Sequence, residues 1–122
     1  MLQTLLPSAR RVTIHVGGED VIVSADCASS VALVVNELVQ NALKYAFPSG
    51  QAGRIGIELH SGRPLCQLTV WDNGVGFQAD RPRPGGAGLE LASTIVREKL
   101  TGEWSVESGP GGTRISFDFL EQ

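Results

Sequence analysis

The sequence predicts an α/β (α+β) fold in two layers, a mixed β-sheet covered on one face by helices. Three observations carry that expectation. Short runs alternate apolar and polar residues, as in Val12-Thr13-Ile14-His15-Val16 and in the spacing of Ile55, Ile57 and Leu59, which is the period of half-buried strands. Two longer stretches, one ending near Phe47 and one near Leu100, repeat apolar residues at helical spacing. Of the fifteen glycines nine crowd between Gly74 and Gly112, where regular structure has to be interrupted. A sheet and a helix each with one apolar side bury both sides most simply as two stacked layers.

The elements follow in order. Residues 1–11 begin with an apolar Leu2, Leu5, Leu6 cluster stopped by Pro7, and form the end of a preceding element or linker. Residues 12–122 make the domain. Val12–Val16 is a strand with Thr13 and His15 outward; after a Gly17-Gly18-Glu19-Asp20 turn, Val21-Ile22-Val23 is expected as a short second strand. Ser24 or Asp26 can cap a long helix that runs to about Phe47 and is closed by Pro48-Ser49-Gly50. Ile55–Leu59 is a strand with Glu58 and His60 outward, and Cys66, Leu68 and Val70 mark its neighbour across the turn at Ser61-Gly62-Arg63-Pro64. The aperiodic segment from Gly74 to Gly88 reads as a loop. A helix follows from about Leu89 to Leu100, with Leu91, Ala92, Ile95, Val96 and Leu100 as its apolar side. Glu103–Ser108 and Thr113–Leu120 are the last two strands, joined by the Gly109-Pro110-Gly111-Gly112 turn.

Composition excludes several function classes. At 122 residues the chain is one domain able to bury a core. Its net charge of −3 disfavours a nucleic-acid partner, whose phosphates call for a basic surface. No apolar run approaches the roughly 20 residues of a membrane span, and the N-terminus lacks the basic and apolar regions of a signal peptide. Cys27 and Cys66 have neither metal spacing nor a disulfide framework. Two reduced thiols in a cytoplasmic domain, without membrane contact, are the expectation.

Candidate site residues come from three places. On the long helix, at about 100° per residue, Val31, Val35, Leu38, Val39, Ala42 and Ala46 share the core arc. Glu37, Asn41 and Lys44 form a row on the opposite side. A carboxylate, a carboxamide and an ammonium in one row can handle a metal-bound phosphate chain: Asn41 offers an oxygen to Mg²⁺, Lys44 charge to phosphate, and Glu37 a base for a nucleophile. The same row also fits a plain solvated face with a Glu–Lys pair. Asn36 lies about 100° off it and suits a structural role.

At the second place, continuing the alternation of Cys66, Leu68 and Val70 puts Asp72 on the core-facing side. A buried carboxylate needs donors; an exocyclic adenine amine is one, and Gly74 and Gly76 would let a flat base approach the backbone. An Asp-Asn-Gly turn that bonds its own backbone is the other reading. Third, Gly85, Gly86 and Gly88 precede a helix N-terminus, whose free N–H groups attract phosphate, although glycine linkers are common. Neither a Walker sequence nor a dinucleotide fingerprint is present. Thr113 would add a hydroxyl near the base.

With these residues in place, the chain resembles the ATP-binding catalytic domain of sensor histidine kinases, within the superfamily that includes gyrase, Hsp90 and MutL. Asn36-Glu37-Leu38-Val39-Gln40-Asn41-Ala42-Leu43-Lys44-Tyr45-Ala46-Phe47-Pro48 is most similar to the branch with a HisKA_2 or HWE type dimerisation segment. The resemblance covers about Val12 to Phe119 and implies the Bergerat α/β sandwich and binding of ATP with Mg²⁺. Carried over by position, it implies Asn41 as the Mg²⁺ ligand, Lys44 and Tyr45 as phosphate contacts, and Asp72 on the adenine amine. Gly74 and Gly76 would shape the base pocket, Gly86, Gly88 and Leu89 the lid hinge and its phosphate contact, and Thr113 would lie near the base. Glu37 corresponds to the general base of the gyrase-like members, a position where many histidine kinases carry Asn.

The segment between Phe77 and Gly85 is short for a lid and lacks a phenylalanine box; Arg81 and Arg83 are its available cations. His15 and His60 lack the flanking residues of a phosphoacceptor and are expected to be surface histidines. The resemblance thus implies γ-phosphoryl transfer from ATP to a histidine on a separate dimerisation domain, a response regulator downstream, and an isolated domain that is monomeric. Two other readings fit the same residues. One is a stand-alone serine/threonine kinase of the anti-sigma-factor type, and the other is a non-catalytic module that only binds adenine nucleotide.

Overall fold

A computed structural model describes residues 11–48, 52–77 and 87–121 of the chain. Residues 1–10 of the expected linker, and Arg81, Arg83, Gly85 and Gly86, lie outside the described residues. The elements are β1 (Val12–Gly18), α1 (Ala25–Tyr45), β2 (Gly53–Ser61), β3 (Leu65–Asp72), α2 (Ala87–Glu98), β4 (Trp104–Gly109) and β5 (Gly112–Leu120). The strands form one sheet in the order β1-β2-β3-β5-β4, with β1 parallel to β2 and the other pairs antiparallel. Parallel neighbours cannot be joined by a tight turn, so the long α1 serves as the crossover between β1 and β2. The mixed two-layer architecture is the one expected from the sequence.

Both helices contribute to one core against one face of the sheet. Val34, Leu38, Ala42, Ala46 and Phe47 from α1 and its end, and Ala92, Ile95, Val96 and Leu100 from α2 and its end, meet Ile55, Leu68, Val70, Ile115, Phe117 and Phe119 from the strands. Each large apolar side chain fully removed from water contributes about 1.5–3 kcal/mol. Ser24 is the N-cap of α1: its hydroxyl accepts the Cys27 N–H at 3.1 Å, which satisfies one of the free donors of the first turn. On the uncovered face Trp71 lies across Gly56, where any Cβ would run into the indole. It stacks on His15 with ring centroids 6.4 Å apart, and its Nε1 donates to Glu58 at 3.2 Å. His60 is likewise exposed, 3.8 Å from Glu58.

Four expectations are corrected. Val21-Ile22-Val23 is not a strand. Val21 and Val23 do pack inward, but the Ile22 N–H donates to the Glu121 carboxylate at 3.1 Å in place of a ladder partner. The burial arc of α1 is rotated from the expected one: Val34 is fully buried at its centre, Val31, Val35 and Val39 are half-buried, and Asn41 is buried. The rotation follows from α1 packing against both the sheet and α2. On α2, Leu91 is 49 % exposed while Ser93 is buried, because the helix leans its Ser93 flank inward. Finally, α1 ends at Tyr45, and α2 begins at Ala87 and ends at Glu98, so both helices stop about two residues short of the expected ends.

Both cysteines are free, and burial pushes the thiols of Cys27 and Cys66 upward from their ordinary range. Beside Cys66, Glu121 binds three pieces of chain: its carboxylate accepts from Ile22 N–H and from the Ser61 hydroxyl (2.8 Å), and its own N–H donates to the Pro64 carbonyl. The bonds from Ile22 and Ser61 lower the Glu121 carboxyl from its usual 4.5. A carboxyl lowered in the folded state contributes stability above its unfolded pKa and loses it as pH falls through the folded one. Glu121→Gln is therefore expected to lower the thermal midpoint at neutral pH. The deficit should shrink toward zero in acid below the carboxylate range, in a melting series across pH.

Candidate functional site

Three pieces of chain converge where the central strand β3 ends. Asp72, its last residue, is 8 % exposed and lies in a cross-strand row with Ile55 on β2, Thr113 on β5 and, through Thr113, Ser108 on β4. The alternation of β3 therefore does carry a carboxylate onto the helix-covered side. Its Oδ1 accepts the Gly74 N–H at 2.9 Å, so the Asp-Asn-Gly turn forms. A carboxylate has about four acceptor positions, so a turn and an exocyclic amine can share it. Asn73 points the other way and exchanges bonds with Arg54: its Oδ1 accepts the Arg54 N–H at 2.8 Å, and its N–H donates to the Arg54 carbonyl at 3.2 Å.

The loop after Asp72 is clamped from two sides. The Val75 N–H donates to the Ala46 carbonyl at 2.9 Å, and Gly74 lies so close to Ala46 that a Cβ would collide with that carbonyl. Gly76 has φ +69°, in the left-handed region, and faces the Gly109 carbonyl of the β4–β5 turn. Glycine at both positions is thus already required by the packing of the protein on itself; the approach of a flat base would be an additional use. The Phe77 N–H then donates to the Ser108 hydroxyl at 2.8 Å, and Ser108 Oγ lies 2.7 Å from Thr113 Oγ1. Thr113 is 4 % exposed.

Of the α1 residues, Asn41 is 5 % exposed, Glu37 and Tyr45 are half-buried, and Lys44 is exposed. Asn41 was expected on a solvated row; it instead flanks the core, about 60° from Leu38. No buried side-chain nitrogen or oxygen among the described residues is unpaired. Asn36 is exposed.

Ser24–Ser30 at the start of α1 and Lys99–Thr101 after α2 line one cavity. The C-terminal end of α2 therefore lies beside the start of α1. Gly88 sits inside the first turn of α2, and Leu89 packs half-buried against the core.

Two cavities adjoin the end of β3. One of about 500 Å³ has Asp72, Ser108, Gly109, Gly112 and Thr113 in its wall. The other, of about 600 Å³, lies between Phe77, Leu89, Ser93 and Trp104. A further cavity of about 630 Å³ at the far ends of the helices has none of the candidate residues in its wall; the convergence of polar groups at Asp72, and not size, marks the site. Among the described residues no cluster of His, Cys, Asp and Glu could cage a metal ion. Ser108 was missed in the sequence. Its only signal is the hairpin register, Gly109 opposite Gly112, which sets it directly across from Thr113. Gly76→Ala is expected to cost about 1–3 kcal/mol for the left-handed backbone, before any collision with Gly109, as a lower midpoint in urea unfolding.

The chain is 31 % identical over 112 residues to blue-light-activated histidine kinase 2 of Erythrobacter litoralis, covering 88 % of this chain and 32 % of that protein. It is 36 % identical over 116 residues to the swarming motility regulation sensor protein RssA of Serratia marcescens, covering 83 % of this chain and 24 % of that protein. The chain therefore spans a third or less of these relatives. In fold it superposes on a histidine kinase domain from an Erythrobacter litoralis blue-light activated histidine kinase with a TM-score of 0.79, 24 % identity, and coverage of 97 % of this chain and 58 % of that one. Residues 27–122, which hold all but the first two residues of α1, the Asp72 loop and the Thr113 hairpin, match the histidine kinase-, DNA gyrase B- and HSP90-like ATPases, and the chain belongs to that family.

Proposed function

We propose that this domain binds ATP with Mg²⁺ and donates the γ-phosphoryl group to a histidine on a separate dimerisation domain, as the catalytic part of a two-component sensor kinase. The observation that carries the reading is the buried Asp72 carboxylate, set opposite Thr113 and beside a loop locked between Ala46 and Gly109. Two of the named relatives are sensor histidine kinases or sensor proteins. Asp72 accepts the adenine amine, with the Thr113 hydroxyl near the base and Gly74 and Gly76 forming the wall. Lys44 and Tyr45 meet the phosphate chain, and Gly88 and Leu89 approach it from the first turn of α2, where backbone N–H groups and the helix dipole favour anions.

The donor set fits Mg²⁺. Asn41 presents a hard carboxamide oxygen, the donor type Mg²⁺ prefers, and an ion that keeps several waters and shares phosphate oxygens needs few protein ligands. Bound there, the ion would neutralise charge on the phosphate chain. Glu37, one helical turn from Asn41, orients the attacking imidazole and accepts its proton. Most of the work is positioning and charge stabilisation, as in phosphoryl transfer generally. A response regulator would receive the phosphoryl group next.

The deciding experiment is calorimetric titration with a non-hydrolysable ATP analogue, with and without Mg²⁺. Saturable, Mg²⁺-sensitive binding that GTP does not reproduce is expected; no binding at millimolar nucleotide would overturn the reading. Asn41→Ala is expected to abolish the Mg²⁺ dependence while the circular dichroism spectrum and melting stay those of a folded domain. Unchanged Mg²⁺ response would remove Asn41 from the site. Asp72→Asn should narrow the preference for ATP over GTP by about tenfold, the scale of one charge-assisted hydrogen bond. With a histidine-bearing helical hairpin supplied, the transferred label should be acid-labile and alkali-stable. An acid-stable label on serine would favour the anti-sigma-factor type of kinase.

A further inference from the structure

Ser108 belongs to none of the motifs that the sequence offers, yet it joins two parts of the site that are far apart in the chain. Its hydroxyl accepts the Phe77 N–H at 2.8 Å, thirty-one residues away, and lies 2.7 Å from the hydroxyl of Thr113. A serine hydroxyl has one donor proton and two acceptor lone pairs. The Phe77 amide takes one lone pair, so the bond to Thr113 uses the proton or the remaining lone pair. In either case Ser108 occupies one of the hydrogen-bonding positions of the Thr113 hydroxyl and so narrows the directions left to the others.

The β-branched Thr113 is stiff at χ1, but its hydroxyl proton turns freely unless a partner holds it. Thr113 stands directly opposite Asp72 across the β3–β5 pair, and Asp72, Thr113 and Ser108 share the wall of the cavity of about 500 Å³. Hydrogen bonds in such a chain polarise one another in a low-dielectric setting.

We infer that Ser108 is a positioning residue for the base-binding end of the site: it orients the Thr113 hydroxyl beside Asp72 and holds the loop at Phe77 to the same point. The inference rests on the nucleotide reading proposed above. Ser108 touches no reacting atom; it acts through Thr113. Its loss therefore changes how well the adenine edge is recognised, and leaves the groups that meet the phosphates as they are.

The test is calorimetric titration of wild type, Ser108→Ala, Ser108→Thr, Thr113→Val and the Ser108→Ala/Thr113→Val double variant with the non-hydrolysable ATP analogue. Ser108→Ala is expected to bind about three- to tenfold more weakly, the range of one neutral hydrogen bond. Ser108→Thr, which keeps the hydroxyl, should restore most of the affinity. The double variant should bind like Thr113→Val alone, because residues acting through one another are not additive. Exchange of the Phe77 amide should quicken in Ser108→Ala but not in Thr113→Val. Should the alanine variant fail to fold, Ser108→Cys, with a similar shape and a weak donor, reads the same loss. Wild-type affinity in Ser108→Ala, or losses that simply multiply in the double variant, would overturn the inference alone. Absence of binding by the wild type would overturn the nucleotide reading and this inference with it.

Discussion

A carboxylate on the core-facing side of the central strand is the constraint around which the molecule is arranged. Asp72 closes β3, the third of five strands, at a position where alternation would ordinarily place another apolar residue. Burying it uncompensated would cost several kcal/mol. The strand ends there, the chain turns back so that Gly74 can donate to Oδ1, and a hydroxyl residue, Thr113, occupies the facing position on β5. The polar character of this end of the sheet follows from that single residue.

The loop held by this turn connects the two layers. Ala46, at the C-terminal end of α1, receives Val75, and the Gly109 carbonyl of the β4–β5 hairpin receives Gly76. A side chain larger than hydrogen would push the loop off Ala46 at position 74 and off the β4–β5 turn at position 76. The helix bearing Asn41, Lys44 and Tyr45 is thereby kept in a fixed relation to Asp72, although the two lie on different layers. Precise placement of this kind is what positioning-dominated chemistry needs, because a displacement of about 1 Å at such a site can cost a hundredfold in rate.

Much of the fold was legible because it rests on local periodicity. The two-residue alternation of β2, β3 and β5 and the helical spacing of α1 and α2 are set by which residues can face water, and each survives in the structure. Val21-Ile22-Val23 shows the limit of that logic. Its alternation is real in the sense that Val21 and Val23 pack inward, but a strand also needs a partner for its backbone, and here the Glu121 carboxylate from the other end of the chain takes the Ile22 N–H. Leu91 shows another limit: on a helix flank, small changes of tilt decide between an exposed leucine and a buried Ser93.

The sequence by itself determined the two-layer fold and the inward turn of Asp72, because these depend on the periodicity within each element. Tertiary structure decided what depends on how elements are placed against one another. The roll of α1, which buries Asn41 beside the core, follows from its contact with both the sheet and α2. The need for glycine at 74 and 76 follows from Ala46 and Gly109, residues about 30 positions away in each direction. The link from Phe77 through Ser108 to Thr113 exists only because hairpin register and loop path bring three distant atoms within hydrogen-bond reach. Contacts between distant segments leave no period in a sequence, and only the packed chain fixes them.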